Sequence, residues 1–294
     1  MILTRRSLLL TPALLAAQSP LTVGEALARV RRETGVTWRE ETVDTLKTGA
    51  LDTQLTGIAT SFMATYAVLA EAAKRRCNLI ITHEPTFYNH LDQTKDLEGD
   101  PVYRAKRELI DKEHLAVFRF HDHWHRMRPD GIRKGMVEAL GWQKFEQGAH
   151  YMLPPTTLAG LASAIRGKLG VKTMRVIGDA SLPVKRVAMM PGAGGSREQM
   201  RLLLTEGVDV LVIGETREWE TVEYVRDAMQ QGQKKALIIL GHAASEEGGM
   251  EYCARWLRSF IKEVPVEFIV AGEPFWAPRI TRGLSSSPAM QVNL

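Results

Sequence analysis

NLIITHEPTFY, residues 78–88, is the stretch on which the reading of the fold turns. Its start, Leu79-Ile80-Ile81-Thr82, is apolar and β-branched with no polar alternation, the pattern of a strand buried on both faces. Just before it, residues 61–76 (SFMATYAVLAEAAKRR) carry Ala and Leu at helical spacing and a basic last turn that suits the helix dipole. Directly after it stand His83 and Glu84, at the carboxyl end of the strand, where open α/β sheets place their binding crevices.

The same grammar extends along the chain. Helices are expected at residues 23–33, with Thr22 as cap and Glu25 three residues on, and at 101–112, with Pro101 in the first turn. Further helices are expected at 156–169, at 196–206 capped by Ser196, at 218–231 and at 250–263. Strands are expected at 115–120, 174–177, 184–190, 208–213, 236–240 and 266–270, and residues 56–60 form a short apolar stretch. This alternation predicts an α/β fold with largely parallel sheets. The mildest break lies at residues 148–157, where Leu153-Pro154-Pro155 separates the halves. The expectation is two similar α/β lobes, about 23–150 and 151–294, with a site in the cleft between them.

A chain of 294 residues that is 45% hydrophobic and 24% charged can bury a core without staples, which excludes a largely disordered chain. Two cysteines exclude a disulfide scaffold, and Cys77 and Cys253 both sit in apolar contexts that favour buried free thiols. No apolar run reaches the roughly 18 residues a membrane span needs. The net charge of +4 falls to +2 once Arg5 and Arg6 are set aside, so no nucleic-acid partner is expected. Those two arginines open an acid-free segment, residues 1–22, that continues through Leu8-Leu9-Leu10 and Ala13-Leu14-Leu15-Ala16-Ala17. It resembles a twin-arginine export signal, which predicts a periplasmic or other extracytoplasmic location; an amphipathic helix is the alternative.

Histidine placement points to chemistry. His83, then His121, His123 and His125, then His242 follow the ends of three expected strands, and each group has a carboxylate beside it: Glu84, Asp122 and Glu246. Imidazole nitrogen with carboxylate oxygen is a ligand set for zinc, iron or manganese. Singly, each group has a plainer reading. His83-Glu84 suits a solvated loop, and His121-Asp122-His123-Trp124-His125 suits an extended segment with three rings on one side, or a turn. His242 and Glu246 suit an ordinary i,i+4 helix pair. Together they favour a metal centre, with room for two ions. Glu215, after the strand ending at residue 213, is a candidate general base or else a solvated helix start. Gly192-Ala193-Gly194-Gly195-Ser196 is a tight strand-to-helix turn or a phosphate-holding one. His90, His114 and His150 stand alone and are expected to be surface or structural.

The ordered set LTGIAT, NLIITHEPTFY, FRFHDHWH, VDVLVIGE and LGHAASEEGGMEYCARWL resembles the Nif-three-like dinuclear metal centre family, which includes GTP cyclohydrolase I type 2 homologues. The resemblance spans about residues 25–280. It implies two divalent transition-metal ions held by His83, Glu84, His121, His125, His242 and Glu246, with Asp122 and His123 orienting those ligands. Where the family usually has His-His after the first strand this chain has His83-Glu84. Where the family has Asp in the second segment this chain has His125. The resemblance further implies a homo-oligomer, a toroidal hexamer, and a metal-dependent hydrolase acting on a small molecule, with a non-catalytic metal-binding or assembly protein as the rival.

Overall fold

The computed structural model describes residues 20–278, so most of the expected export signal, residues 1–19, lies outside the described residues. The first elements in chain order are α1 (Val23–Glu33), β1 (Leu46–Thr48), β2 (Ile58–Ser61), α2 (Tyr66–Lys74), β3 (Leu79–Thr82), α3 (Pro101–Lys112) and β4 (Ala116–Arg119). Next come α4 (Asp122–Arg126), α5 (Gly131–Leu140), β5 (Glu146–Gln147), β6 (His150–Thr157), α6 (Leu158–Leu169), β7 (Arg175–Ile177) and β8 (Pro183–Met190). The remainder are α7 (Ser196–Leu204), β9 (Val210–Ile213), α8 (Glu223–Gln230), β10 (Ala236–Ile239), α9 (His242–Phe260) and β11 (Val266–Phe268).

They build two sheets, β1-β4-β3-β2-β11 and β5-β6-β8-β9-β10-β7. In the first, β4, β3, β2 and β11 run parallel and only β1 is antiparallel. In the second, β8, β9 and β10 are parallel, flanked by antiparallel β6 and β7. The fold is thus α/β, as expected, with mixed edges.

The uninterrupted apolar strands are buried on both faces because successive side chains alternate between two helical layers. Ile58, Leu79, Ile81 and Phe118 pack with Val23, Ala26 and Val30 of α1 and with Met250, Cys253 and Leu257 of α9. Ala59, Ile80 and Val117 face the other way, onto Val68, Leu69 and Ala72 of α2 and Ile110 of α3. Val210, Val212 and Ile238 pack against α5 and α6, while Leu211, Ile213 and Leu237 meet Leu203 and Val225. Each such Leu, Ile or Val contributes about 1.5–3 kcal/mol on burial.

Chain order does not sort the two sheets at residue 150. β5, before that point, already belongs to the second sheet, and β11 returns to pair with β2 of the first. The helix between them, α9, crosses α5 closely enough that a Cβ at Gly135 would lie 2.1 Å from the carbonyl oxygen of Gly248.

Several local expectations are corrected. Leu153-Pro154-Pro155 is no break but part of β6, seated where the register with β8 shifts between Met152 and Thr156. An irregularity of that kind is where a strand tolerates residues without an N–H. Ser196 does not cap α7; Gly195 is its N-cap and no side chain caps it. The helix expected at 218–231 starts as a π-helical turn over Glu218–Val222 before becoming α8. The helix expected at 250–263 begins at His242. α5, unread in the sequence because of Gly131 and Gly135, is capped by Asp130. Among the described residues no helix is long and apolar enough to cross a membrane. Both cysteines are free and buried.

Candidate metal centre

The residues nominated from the sequence arrive from both sheets. His83 and Glu84 follow β3, and His121 and His125 stand at the start and on the body of α4 just past β4. His242 and Glu246 occupy the first turns of α9, which begins where β10 ends. Because α4 is helical, the extended reading of residues 121–125 is corrected: His121 and His125, four apart, share a face, and His123 points elsewhere.

Six donor atoms turn toward one another in a ring. His125 Nε2 lies 3.1 Å from His83 Nε2. His83 Nε2 lies 3.6 Å from Glu246 Oε2, and that oxygen is 3.2 Å from His242 Nε2. His242 Nε2 is 3.4 Å from Glu84 Oε1, which is 3.8 Å from His121 Nε2. The ring closes through α4, since His83, His121 and His125 all bring ligand atoms within 4.8 Å of one another. His83, Glu84 and Glu246 form a second such group.

The outer nitrogens explain why the inner ones face inward. His83 Nδ1 donates to the carbonyl of Phe120 at 3.2 Å, His121 Nδ1 to Asp122 at 2.9 Å and His125 Nδ1 to Asp130 at 2.8 Å. A carbonyl or carboxylate only accepts, so each ring carries its proton on Nδ1 and presents Nε2 as a lone pair when neutral. Acceptor-backed imidazoles of this kind are the usual support of metal-binding histidines.

Two observations test whether an ion fits. Glu246 Oε2 is buried and makes no well-aligned hydrogen bond, its neighbours in the ring being His242 Nε2 at 3.2 Å and His83 Nε2 at 3.6 Å, so a buried acceptor is left poorly satisfied. The 3.1 Å between His83 and His125 nitrogens falls between the roughly 2.9 and 3.3 Å expected for two nitrogens about 2.05 Å from one octahedral or tetrahedral ion. The donor set fits a divalent ion.

Proton affinities follow the same geometry. Burial, then the neighbouring His125 and His121, holds His83 well below the usual imidazole value. Burial also acts against a proton on His242, but Glu246 and Glu84 outweigh it and push that group up to about 10. On His125 burial is again outweighed, by Asp130 and then by Glu246 and Glu84, so its value is raised. Burial works against ionised Glu84, yet His242 and Arg119 lower it. Asp122 falls to about 2 against its burial through bonds from His121, Thr42 and the Val43 amide. A cation entering the ring therefore displaces protons.

The remaining nominated residues sit outside the ring. Asp122 anchors His121 and also accepts from Thr42 Oγ1 at 2.8 Å. His123 is fully buried, stacked on Trp38, with Nδ1 on Asp44 at 2.7 Å and Nε2 accepting from the Arg39 amide. Glu215 Oε1 meets His242 Nδ1 at 3.3 Å, on the opposite edge of that ring from Glu84 and Glu246. His90 and His114 are exposed, and His150 lies in β6.

Four further residues shape the centre. Asp44 receives the amides of His121, Asp122 and His123 and so fixes the start of α4. Asp130 caps α5 through Arg133 N while its other oxygen holds His125. Arg119, fully buried, donates to the carbonyls of His83 and His90 and to Glu84 Oε2. Its signal was a lone charge inside the apolar run LAVFRF. Gly192, in the glycine turn, has φ +73°, and a Cβ there would lie 2.1 Å from Glu246 Oε1. The turn keeps backbone close to the carboxylate, a need only glycine meets.

Beside the ring a cleft of about 1410 Å³ reaches from His242 and Glu215 past Phe62 to Gly194–Ser196, Arg217 and Trp276. The ring therefore has an open side.

The sequence model of the family described as Duf34/NIF3 (NGG1p interacting factor 3) matches residues 40–274. A GTP cyclohydrolase 1 type 2 homolog of Clostridium perfringens is 24% identical over 245 residues, covering 78% of this chain and 87% of the relative. A protein of the same name from Clostridium acetobutylicum is 24% identical over 215 residues, 68% of this chain and 76% of the relative. Among solved structures, a Bacillus cereus protein related to NIF3 superposes with a TM-score of 0.72 at 15% identity, covering 88% of this chain and 99% of that one. A Staphylococcus aureus hypothetical protein gives 0.71 at 17% identity, covering 88% and 100%. The structural likenesses establish a shared fold.

Proposed function

This chain belongs to the Duf34/NIF3 family, and on that premise we propose that it binds two divalent transition-metal ions and is a metal-dependent hydrolase of a small molecule. The observation that carries the reading is the ring of six inward-facing donors, His83, Glu84, His121, His125, His242 and Glu246, opening at His242 onto the cleft. Ions held there would supply Lewis-acid polarisation and an acidified water.

The chain's own residues have separable tasks in this proposal. Asp122, Asp130 and the Phe120 carbonyl hold three imidazoles in one tautomer, and Arg119 ties one oxygen of Glu84 so that the other faces the ring. Glu215 is the candidate proton carrier. It touches His242 Nδ1, and its side chain is half exposed at the mouth of the cleft, within reach of solvent and of a molecule that enters there. His123 acts further out, through Asp44, on the placement of α4.

The test is metal content per chain, beside a His83→Ala/His242→Ala variant, followed by a hydrolase screen on the loaded protein. GTP belongs in that screen because relatives carry the name GTP cyclohydrolase 1 type 2 homolog. About two ions per chain, lost in the variant, with hydrolysis abolished by chelator and restored by metal, is the expected result. Folded, metal-free protein that takes up no ion would overturn the proposal. Full loading without turnover on any substrate class would favour the non-catalytic assembly reading.

Two further parts of the proposal concern place and partners. The twin-arginine-like segment is proposed to export the chain already folded, which a signal-peptide fusion to a reporter tests through its loss on Arg5→Lys/Arg6→Lys substitution. Homo-oligomerisation is proposed as well, and light scattering of the purified chain measures it.

A further inference from the structure

The ring of donors is not uniform around its circumference. One arc runs His121, His125, His83 and contains only imidazole nitrogens; the other runs Glu246, His242, Glu84 and contains two carboxylates and one imidazole. His83 is the junction, since it also lies within reach of Glu84 and Glu246.

The arcs differ in rigidity as well as in charge. Every imidazole of the nitrogen arc is backed at Nδ1, and two of the three, the N-cap His121 and His125, lie one turn apart at the short helix α4. These rings have one lone pair each in a set direction, a geometry suited to low coordination number. On the other arc Glu246 turns in a buried oxygen that makes no well-aligned hydrogen bond, and Glu84 offers one oxygen while Arg119 engages the other. Carboxylates bind through one oxygen or two, which accommodates higher coordination numbers. The nitrogen arc sets no charged donor atom against an ion, its carboxylates Asp122 and Asp130 standing behind the rings. The oxygen arc offsets it.

Resting on the metal reading above, we infer that the two ion positions are chemically unequal: the nitrogen arc takes zinc first, and the oxygen-rich arc takes a harder ion such as manganese, so the chain is built for a mixed pair. Imidazole suits zinc and iron, whereas carboxylate and water suit manganese and magnesium. Two identical sites would need the carboxylates split between the arcs, whereas both flank His242, on the side of the ring opposite His125.

The experiment uses the chelator-stripped full chain and the metals alone. Zinc outranks manganese at any nitrogen and oxygen site, so one equivalent of zinc is added, never an excess, and manganese follows. Manganese uptake is read by electron paramagnetic resonance and zinc release by a chromogenic chelator. Manganese joining the one-zinc protein without releasing zinc is the expected result. In a parallel cobalt titration the first equivalent gives the intense visible absorption of a four-coordinate nitrogen-rich site and the second a weak one.

His125→Ala should weaken the first zinc by more than the about 10–100-fold that loss of an outer partner costs, and leave manganese within about threefold. Glu246→Gln should do the reverse. Thermal melts of the stripped variants report whether they fold, and the cobalt spectra of the unsubstituted chain decide the question independently of them. Two zinc ions of equal affinity, identical cobalt bands, or manganese that cannot join zinc would overturn the inference and leave the metal reading standing. Uptake of no ion would overturn both.

Discussion

Asp130 performs two jobs with two oxygens, and substitutions can separate them. Oδ1 accepts from the Arg133 amide at 2.9 Å and caps α5, while Oδ2 accepts from His125 Nδ1 at 2.8 Å. Serine caps a helix about as well as aspartate, but its hydroxyl is too short to serve both partners. Asp130→Ser should therefore keep the cap and lose the brace on His125. Alanine loses both.

A cap is worth about 1 kcal/mol and an outer partner of a metal-binding histidine about 10–100-fold in affinity, or roughly 1.4–2.7 kcal/mol. Urea unfolding in chelator should place Asp130→Ser within about 0.5 kcal/mol of the parent and Asp130→Ala about 1 kcal/mol below it. Competition with a coloured chelator should show both variants weakened about 10–100-fold toward the first zinc. Asp130 also raises the proton affinity of His125. Removing it relieves proton competition, so the deficit should shrink at pH 6 relative to pH 8. An Asp130→Ser protein that binds zinc as tightly as the parent at pH 8 would refute the bracing role.

Other consequences are equally direct. Gly192→Ala forces a side chain into φ +73° and onto Glu246, so it should cost about 1–2 kcal/mol in melting experiments and weaken metal uptake together. Arg119→Met strands Glu84 and the carbonyls of His83 and His90, and denaturant unfolding should show a loss of about 3–5 kcal/mol. Lys106 is buried against Thr86 and the Phe87 and Tyr88 rings, and burial lowers it from 10.5 to about 8, offset only partly by Asp92. Below pH 8 it is charged in both states and the fold carries the penalty. Between pH 8 and 10.5 only the unfolded chain keeps the proton, so this group's contribution to stability rises with pH by about 3 kcal/mol. Urea unfolding of the parent minus Lys106→Met isolates that rise, and a difference flat from pH 7 to 10 would contradict it.

Much of this was legible from local pattern. The strand at residues 79–82 and the helices at 23–33 and 101–112 occur with the boundaries that periodicity and capping suggested. The candidate donors were legible because each group follows the end of a strand, and strand ends are local events; the choice of six among them came from the family resemblance. What failed locally failed for identifiable reasons. Gly131 and Gly135 hid α5, since they lower helix propensity, yet Gly135 is needed for the close crossing with α9. Pro154 and Pro155 looked like a boundary because a proline cannot donate to a ladder, but a register shift absorbs them within β6.

By itself, then, the sequence determined the kinds of element, their order and the inventory of donors, because side-chain periodicity and strand-end position are properties of a few adjacent residues. Only the tertiary structure decided which donors meet. His83 and Glu246 are 163 positions apart and lie 3.6 Å from each other because α9 leaves the second sheet, packs on α5 and returns its chain to the first sheet through β11. The same packing turned His123 away, brought unassigned Asp44, Arg119 and Asp130 against the ring, and set Glu215 on the outer edge of His242. Those are outcomes of burial and crossing geometry summed over both sheets and their helical layers, and no window of the chain contains them.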